Sequence, residues 1–236
     1  MNSSIKIWED VDRDLYAALY CIDRPSANRK TGDMAQVAIL PLSKSPTETV
    51  RDKTQHNCGD CALKSSCYVN PVALNAVYQA TRDLNVSRIP QLYKPIRLGS
   101  WGDPGLVPIP ILHCLVHRAP GHTGYTHLWQ DINPKYAQYL MASIDALSAQ
   151  REGKTLEQLK RSAQRAGYRT YTILSPGQSA GEDIVCPASK RPNDITCRDC
   201  KLCSGQTYTA RNTARSISAE IHGSPNKVRS YLKQVL

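Results

Sequence analysis

The fold is decided by residues 96–129, which read IRLGSWGDPGLVPIPILHCLVHRAPGHTGYTHLW. Residues 96–101 predict a strand that ends in a glycine-rich turn. Residues 107–119 predict a helix, because their two prolines are confined to its first turn, where a missing N–H costs no hydrogen bond. Residues 124–129 predict the next strand. A strand, a helix and a second strand in this order form a βαβ unit, which is typical of a parallel sheet.

The same alternation continues on both sides of this unit. The stretch EDVDRDLYAALYCID, residues 9–23, predicts a short amphipathic helix. Further helices are predicted over residues 71–84, 153–167 and 224–236, and further strands over residues 36–42, 140–146, 168–174, 182–189 and 214–223.

These elements predict an α/β protein with a mainly parallel sheet or an incomplete (β/α) barrel. We expect one domain over residues 1–236, in which residues 1–57 form an N-terminal extension. A cysteine-rich metal knuckle is expected near the C-terminus, at residues 186–205.

The composition indicates a soluble protein whose thiols stay reduced. No apolar run approaches the roughly 18 residues that span a bilayer, and the first residues lack the apolar core of a signal peptide. We therefore expect a cytoplasmic protein with no membrane partner. In that compartment Cys-x-x-Cys pairs are more often metal ligands or redox groups than structural disulfides.

Four cysteines near the C-terminus form the stronger metal signal. Residues 186–205 read CPASKRPNDITCRDCKLCSG and contain Cys186, Cys197, Cys200 and Cys203. Two overlapping Cys-x-x-Cys steps place three thiolates on one short loop, and Cys186 at the end of a strand completes the set. Four thiolates hold either a tetrahedral zinc ion or a four-iron (4Fe-4S) cluster. The residues leave both alternatives open.

Three more cysteines precede the predicted helix at residues 71–84. Residues 58–68 read CGDCALKSSCY and contain Cys58, Cys61 and Cys67. The fourth ligand could be His56, Cys21 or no protein residue at all. A four-iron cluster held by three cysteines keeps one iron open, and open positions are where metals do chemistry. The cluster lies in a predicted βα loop, where α/β sheets bind ligands.

The glycine-rich turn after residue 98 predicts a small-molecule site. Gly99, Gly102 and Gly105 allow a cofactor to approach the backbone closely, and Asp103 can accept hydrogen bonds from it. The spacing is not that of a dinucleotide-binding fingerprint. The alternative is an Asp-Pro-Gly turn with no ligand.

Polar residues also stand at the ends of two later strands. Tyr125, His127 and Trp129 alternate along residues 124–129, so a strand would place them on one face, as a pocket wall or a base-stacking platform. Asp145 follows the next strand. Because the carboxyl ends of parallel strands meet at one edge, we expect Asp103, His127 and Asp145 to line one catalytic site beside the first cysteines. The alternative for each carboxylate is a turn or a helix cap.

The positive charge is concentrated towards the C-terminus. The formal net charge is +10, and from residue 187 onward nine Lys and Arg residues stand against three acids, a net +6. A basic segment beside the aromatic stretch QTYTARN favours a polyanionic partner, first of all nucleic acid, with Arg211 and Arg215 as candidate phosphate contacts. The alternative is a solubilising surface.

The order of these motifs resembles a family of uncharacterised proteins encoded by tailed phages and related mobile elements. The resemblance runs from Cys58 onward through RLGSWGDPGLVP, GYTHLW, MASIDA and the second cysteine cluster. It implies a protein that works in the cytoplasm of an infected or plasmid-bearing host.

A cysteine cluster ending in Cys-Tyr, followed by a helix and a series of strands, is also distantly similar to radical S-adenosylmethionine proteins. That similarity implies a reactive 4Fe-4S cluster at Cys58, Cys61 and Cys67, with S-adenosylmethionine as its cofactor. The spacing of these cysteines, two residues and then five, differs from that of the family.

Three functions are consistent with the sequence. The first is an iron–sulfur enzyme that acts on a nucleotide, a nucleic acid or a modified base, with an auxiliary metal at the second cysteine cluster. The second is a zinc-stabilised protein that binds nucleic acid without catalysis. The third is a protein that binds a host partner and uses metal only for its fold.

Overall fold

The computed structural model describes residues 4–26, 28–64, 67, 69–191, 193–206 and 215–235. The described residues form one nine-stranded sheet with helices packed against it. Its strands are β1 (Ser4–Asp10), β2 (Leu15–Tyr20), β3 (Ala35–Pro41), β4 (Ile96–Trp101), β5 (His122–Thr126), β6 (Met141–Ile144), β7 (Thr170–Leu174), β8 (Ile184–Val185) and β9 (Ile217–Glu220).

The helices lie mostly in the connections between the parallel strands. They are α1 (Pro46–Arg51), α2 (Pro71–Thr81), α3 (Ile109–His117), α4 (Ala146–Arg151), α5 (Leu156–Arg165), α6 (Pro187–Lys190), α7 (Cys197–Cys200) and α8 (Pro225–Val235).

The strand order follows the chain almost throughout. It runs β1-β2-β3-β4-β5-β6-β7-β9-β8, and only the last two strands are exchanged. β1 to β3 pair antiparallel, whereas every pairing from β3 onward is parallel. The predicted α/β class with a mainly parallel sheet is therefore confirmed.

The βαβ unit predicted at residues 96–129 forms β4, α3 and β5. Helix α3 has proline in its first turn, as expected. Ile96 and Leu98 of β4 pack in the same buried cluster as Leu112 and Leu115 of α3. Because alternate residues of a strand point to opposite faces, Arg97 points away from this helix.

The second face of the central strands borders a cavity. Helix α5 covers the same face of β6 as α3 covers on β4, since Ala142 and Ile144 pack with Leu159 and Ala163. The alternate residues of these strands point to the opposite face, towards the cavity. From β4 to β9 they include Arg97, Gly99, Thr123, Tyr125, Ser143, Tyr171, Ile173 and Ile217.

The helix predicted at residues 9–23 is wrong, because this segment ends β1 and forms β2. β1 and β2 form an antiparallel hairpin that turns at Asp14, whose φ is 54°. The run LYAALY is buried on both faces, with Leu15 and Leu19 on one side of the sheet and Tyr16 on the other. A six-residue run with two buried faces suits an interior strand and not an amphipathic helix.

The segment predicted as an N-terminal extension contributes three strands, β1 to β3, to the sheet itself. Strand β3 then pairs with β4 and joins the antiparallel hairpin to the parallel part. Among the described residues, no helix combines the length and the hydrophobicity that crossing a membrane requires.

Candidate functional site

Both cysteine clusters line the same cavity. The cavity has a volume of about 400 Å³ and opens between the sheet and the loops that follow β3 and β8. This volume lies within the range of roughly 300–1,000 Å³ that is usual for small-molecule sites. None of the nine cysteines forms a disulfide. The seven that line the cavity are Cys58, Cys61, Cys67, Cys186, Cys197, Cys200 and Cys203.

The first cluster is fixed to the sheet through the residue that precedes Cys58. The side-chain amide of Asn57 donates to the carbonyl of Ile39 in β3, at 2.8 Å. The carbonyl of Asn57 accepts from the backbone N–H of Asp103, at 2.7 Å. Gly102 makes this approach feasible, because a Cβ there would lie 2.5 Å from the Ile39 carbonyl oxygen. The Asp-Pro-Gly turn therefore clamps the first cysteine loop.

The second cluster is fixed to the sheet by backbone hydrogen bonds. Cys186 directly follows β8, and its N–H donates to the carbonyl of Ser218 at 2.7 Å. Cys197 begins the short helix α7, and its N–H donates to the carbonyl of Lys30 at 3.1 Å. Residues from opposite ends of the chain thus form one wall of the cavity.

Cys203 is buried in this wall, as is Cys186. Its carbonyl accepts the N–H of Gly124 in β5, at 2.9 Å. Burial raises the pKa of the Cys203 thiol, although a hydrogen bond from the Tyr125 hydroxyl acts in the opposite direction. Burial also raises the pKa of Tyr125 well above its usual range, and the Cys203 thiolate adds to that effect.

One thiol from each cluster, Cys58 and Cys197, has a raised pKa. Burial raises the pKa of Cys58, and the neighbouring Cys61 and Cys67 raise it further. Burial likewise raises the pKa of Cys197 to about 11, although Arg97 and Lys30 oppose the shift. A catalytic nucleophile needs a lowered thiol pKa. These thiols instead need a bound cation before they can ionise together.

Within the described ranges, no three His, Cys, Asp or Glu side chains stand where they could hold a metal ion. The donor set itself nevertheless fits a soft metal, because seven cysteine thiols line one cavity. Metal loading would therefore require side-chain rotations. The metal knuckle predicted at residues 186–205 stays a prediction.

Cations line the cavity beside the second cluster. Lys30 Nζ donates to Ser189 Oγ at 2.8 Å and lies 2.6 Å from Nε2 of His222. Arg97 is 8 % exposed and lines the same wall. Burial lowers the pKa of Lys30, and the thiols of the second cluster act in the opposite direction. Arg97 is the basic residue of the sequence motif, whereas nothing in its loop sequence pointed to Lys30.

Asp103 and His127 form a contact pair in the cavity wall. Asp103 is buried and accepts the N–H of Gly105 at 2.8 Å and the N–H of His127 at 2.7 Å. Its Oδ2 also lies 3.6 Å from His127 Nδ1. Burial lowers the pKa of His127, but Cys61 and Asp103 outweigh it and raise that pKa well above its ordinary value.

Asp145 does not join this pair. It lies at the carboxyl end of β6, as expected, but its carboxylate caps helix α4. Oδ1 accepts the N–H of Ser148 at 3.0 Å, and Oδ2 accepts the hydroxyl of the same residue at 2.7 Å. The structure therefore brings together two of the three predicted catalytic residues, and Asp145 has the role of a helix cap.

The predicted aromatic face is also divided. Strand β5 ends at Thr126, so His127 and Trp129 lie beyond it. Tyr125 and His127 line the cavity, but Trp129 packs against Tyr168 with ring centroids 6.4 Å apart. The face shared by all three residues is therefore wrong for Trp129.

The three predicted cofactor-binding glycines are closely packed by the chain itself. A Cβ on Gly99 would lie 2.6 Å from Pro104, and one on Gly105 would lie 2.7 Å from Thr126 Oγ1. Gly99 and Gly102 line the cavity as well. Their close approach therefore first serves the packing of the turn, and cofactor binding by these glycines stays a prediction.

Two residues considered as a fourth ligand of the first cluster lie outside the cavity lining. His56 Nδ1 lies 2.9 Å from the carbonyl of Thr54, and Nε2 lies 3.3 Å from that of Asp14. Cys21 follows β2. Burial raises the pKa of its thiol, and Lys94 acts in the opposite direction.

The basic C-terminal region is described in part. Arg211 and most of the stretch QTYTARN lie outside the described residues. Arg215 is exposed, and its guanidinium donates to the carbonyl of Glu182. Nucleic-acid binding by this segment stays a prediction.

No protein-family model, curated protein or solved structure matches the chain. The resemblance to phage proteins and to radical S-adenosylmethionine proteins therefore stays a prediction. The class of protein that can be stated is an α/β protein with one thiol-rich cavity on its sheet.

Proposed function

We propose that the protein is an iron–sulfur enzyme, similar to radical S-adenosylmethionine proteins and of phage or mobile-element origin. It acts on a nucleotide, a nucleic acid or a modified base. One observation carries the proposal: two cysteine clusters that are far apart in the sequence line a single cavity. Structural metal sites would have no need to share a cavity of substrate size.

The chain offers two donor sets. Cys58, Cys61 and Cys67 would hold the reactive cluster, which in related chemistry also binds S-adenosylmethionine. The second metal would be held by Cys186, Cys197, Cys200 and Cys203. Thiolates select iron–sulfur clusters and zinc over hard cations. When bound, an iron–sulfur cluster supplies one-electron chemistry to a substrate in the cavity.

The charge of the cavity lining supports an anionic substrate. Lys30, Lys64, Arg97 and Lys201 line it, and Asp103 is the acid among the described lining residues. Phosphate and carboxylate groups are the anions that such side chains bind. A nucleotide carries one or more of these charges, which favours this substrate class.

Two aromatic rings in the lining suit the base of a nucleotide. Tyr125 and Tyr171 lie with ring centroids 4.5 Å apart on the cavity face of β5 and β7. Base–aromatic stacking contributes about 1–3 kcal/mol per base and accepts any base. The rings and the cations together provide one subsite for the base and one for the phosphate.

Anaerobic purification with iron and sulfide analysis tests the metal proposal. Each cluster holds its own metal, so Cys58→Ser and Cys200→Ser should each remove about half of the bound iron. Cys200→Ser should also lower the thermal stability, because the binding energy of a four-thiolate site is folding energy. Cys114→Ser is the matched control, because Cys114 of α3 packs against the core between α3 and the sheet and not in the cavity. Its iron content should equal that of the wild type.

Two results would contradict the iron proposal. A colourless protein that holds zinc at both clusters would favour the nucleic-acid-binding alternative. Iron content that is unchanged in both Cys58→Ser and Cys200→Ser would show that these cysteines hold no cluster.

Equilibrium binding of a nucleoside monophosphate tests the substrate class. Lys30→Gln should weaken binding about tenfold or more, because a charge-assisted hydrogen bond contributes about 1.5–3 kcal/mol. Lys135 is exposed and lies away from the lining, so Lys135→Gln is the control. Equal affinity of Lys30→Gln and wild type, at equal metal content, would rule out this anion subsite.

A further inference from the structure

His127 stands between the first cysteine cluster and Asp103. It directly follows β5, and its side chain lines the cavity together with Cys61. Its backbone N–H donates to Asp103 Oδ2, and its Nδ1 lies 3.6 Å from the same oxygen. Asp103 therefore holds the backbone of His127 and lies beside the δ side of its ring.

The other ring nitrogen of His127 has no such partner. Nε2 is buried, and among the described residues no hydrogen-bond partner reaches it with acceptable geometry. Buried polar atoms in native proteins nearly always have a partner, so an exception calls for an explanation such as a missing ion. The Cys61 thiol is a side-chain neighbour of the His127 ring in the cavity lining.

The other two candidates for the fourth ligand, His56 and Cys21, lie outside the cavity lining. Both ring nitrogens of His56 lie within 3.3 Å of backbone carbonyl oxygens, and this side chain lies outside the cavity lining. Cys21 also lies outside the cavity lining. His127 therefore lines the cavity with the first cysteines, and its Nε2 has no hydrogen-bond partner among the described residues.

We propose that His127 Nε2 is the fourth protein ligand of the metal held by Cys58, Cys61 and Cys67, and that Asp103 positions the ring through Nδ1. Metal-bound histidines almost always donate their other N–H to a carboxylate, a carbonyl or a water. A set of three cysteines and one histidine is an established donor set for a metal in proteins. The inference rests on the proposed function, since it needs a metal at these cysteines.

One consequence concerns the open position expected from the resemblance. A cluster with three cysteines leaves one metal position for a cofactor. In this protein His127 occupies that position, so any cofactor that binds the metal must displace the imidazole.

Pulsed electron paramagnetic resonance on the reduced, iron-loaded full-length protein tests this inference. The second cluster has sulfur ligands alone, so a strongly coupled nitrogen can come only from the first. Wild-type protein should show one such coupling, and ¹⁵N-histidine labelling should shift it. His127→Gln should lose it. His56→Gln, the matched control, should keep it.

Asp103→Asn separates positioning from ligation. The asparagine keeps one of the two oxygens that accept the N–H groups of Gly105 and His127, so the turn should lose one hydrogen bond and remain folded. The nitrogen coupling should remain, but affinity for iron at the first cluster should fall about 10–100-fold, as for other second-shell changes.

The outcomes separate the two proposals. Failure to load iron at the first cluster, with Cys58→Ser equal to wild type, would overturn both. Iron at the first cluster without a histidine coupling in the wild type would overturn the His127 assignment alone. Zinc in place of iron would overturn the iron proposal. In the cobalt(II) form of that site, a histidine coupling would then support His127 as a ligand, and the lack of one would overturn the assignment.

Discussion

Gly102→Ala should destabilise the protein and loosen the first cysteine loop. Gly102 has a φ of 80°, in the left-handed region that favours glycine. A Cβ there would lie 2.5 Å from the carbonyl oxygen of Ile39 and 3.0 Å from that of Asn57. Both atoms belong to the backbone, so neither can rotate away as a flexible side chain would. Relief of the clash must move the Gly102 turn away from both Ile39 and Asn57.

The magnitude follows from two contributions. The left-handed conformation costs an alanine about 1–2 kcal/mol. The displaced turn weakens the hydrogen bond from the Asp103 N–H to the Asn57 carbonyl, 2.7 Å long in the wild type, and such a bond contributes about 0.5–1.5 kcal/mol. We therefore expect Gly102→Ala to lower the free energy of unfolding by about 2–3 kcal/mol.

Gly153→Ala is the matched control for this substitution. Gly153 has a φ of 62°, and a Cβ there would meet nothing within 4 Å. It should therefore show the backbone cost without the clash, and the two variants should differ by about 1 kcal/mol, or about 2–4 °C in Tm. Urea unfolding at equal metal content measures the difference. Equal stability of the two variants would refute the clamp between the turn and the first cysteine loop.

Two further predictions concern buried polar residues. Asp145→Ala should lower stability by about 1 kcal/mol through loss of the α4 cap and leave the iron content unchanged, and loss of iron would return Asp145 to the cavity site. Burial lowers the pKa of His122 to about 4 from 6.5, while its Nε2 lies 3.0 Å from the carbonyl of Tyr139. Between these two pH values the unfolded chain binds a proton that the folded chain refuses, so stability should fall as the pH falls. The loss should be about 3 kcal/mol by pH 4. Urea unfolding at stepped pH should show a smaller loss in His122→Gln but not in His117→Gln, which changes an exposed histidine.

The parallel half of the fold was predictable because each segment carries its own signals. Prolines in the first turn mark α3, and a glycine stop marks α5. A largely aliphatic run marks β3, and a run of β-branched and aromatic residues marks β7. Strand β2 was not predictable in the same way. Its LYAALY run fits the spacing of apolar residues in a helix as well as in a buried strand, and the pairing with β1 and β3 decides for a strand.

The candidate site was predictable in its parts and not in its assembly. The seven cysteines and the Asp103–His127 pair stand out from residue type and spacing. Their convergence depends on which face of each strand meets the cavity, and the early end of β5 at Thr126 separates His127 from Trp129. Lys30 carries no signal at all, because its place in the wall depends on Cys197, which pairs with its carbonyl.

The pairing of Lys30 with the second cysteine cluster also sets an order of assembly during synthesis. Lys30 Nζ donates to Ser189, 159 residues later in the chain, whereas the hydrogen bonds of Asn57 to Ile39 and Asp103 need only residues up to Asp103. At a synthesis rate of about 5–20 residues per second, Cys197 follows Asp103 by roughly 5–20 seconds. We expect the first cysteine loop to be folded on the ribosome while the opposite wall is still missing. Thiol labelling of stalled nascent chains should find Cys58 protected before Cys186 has left the exit tunnel.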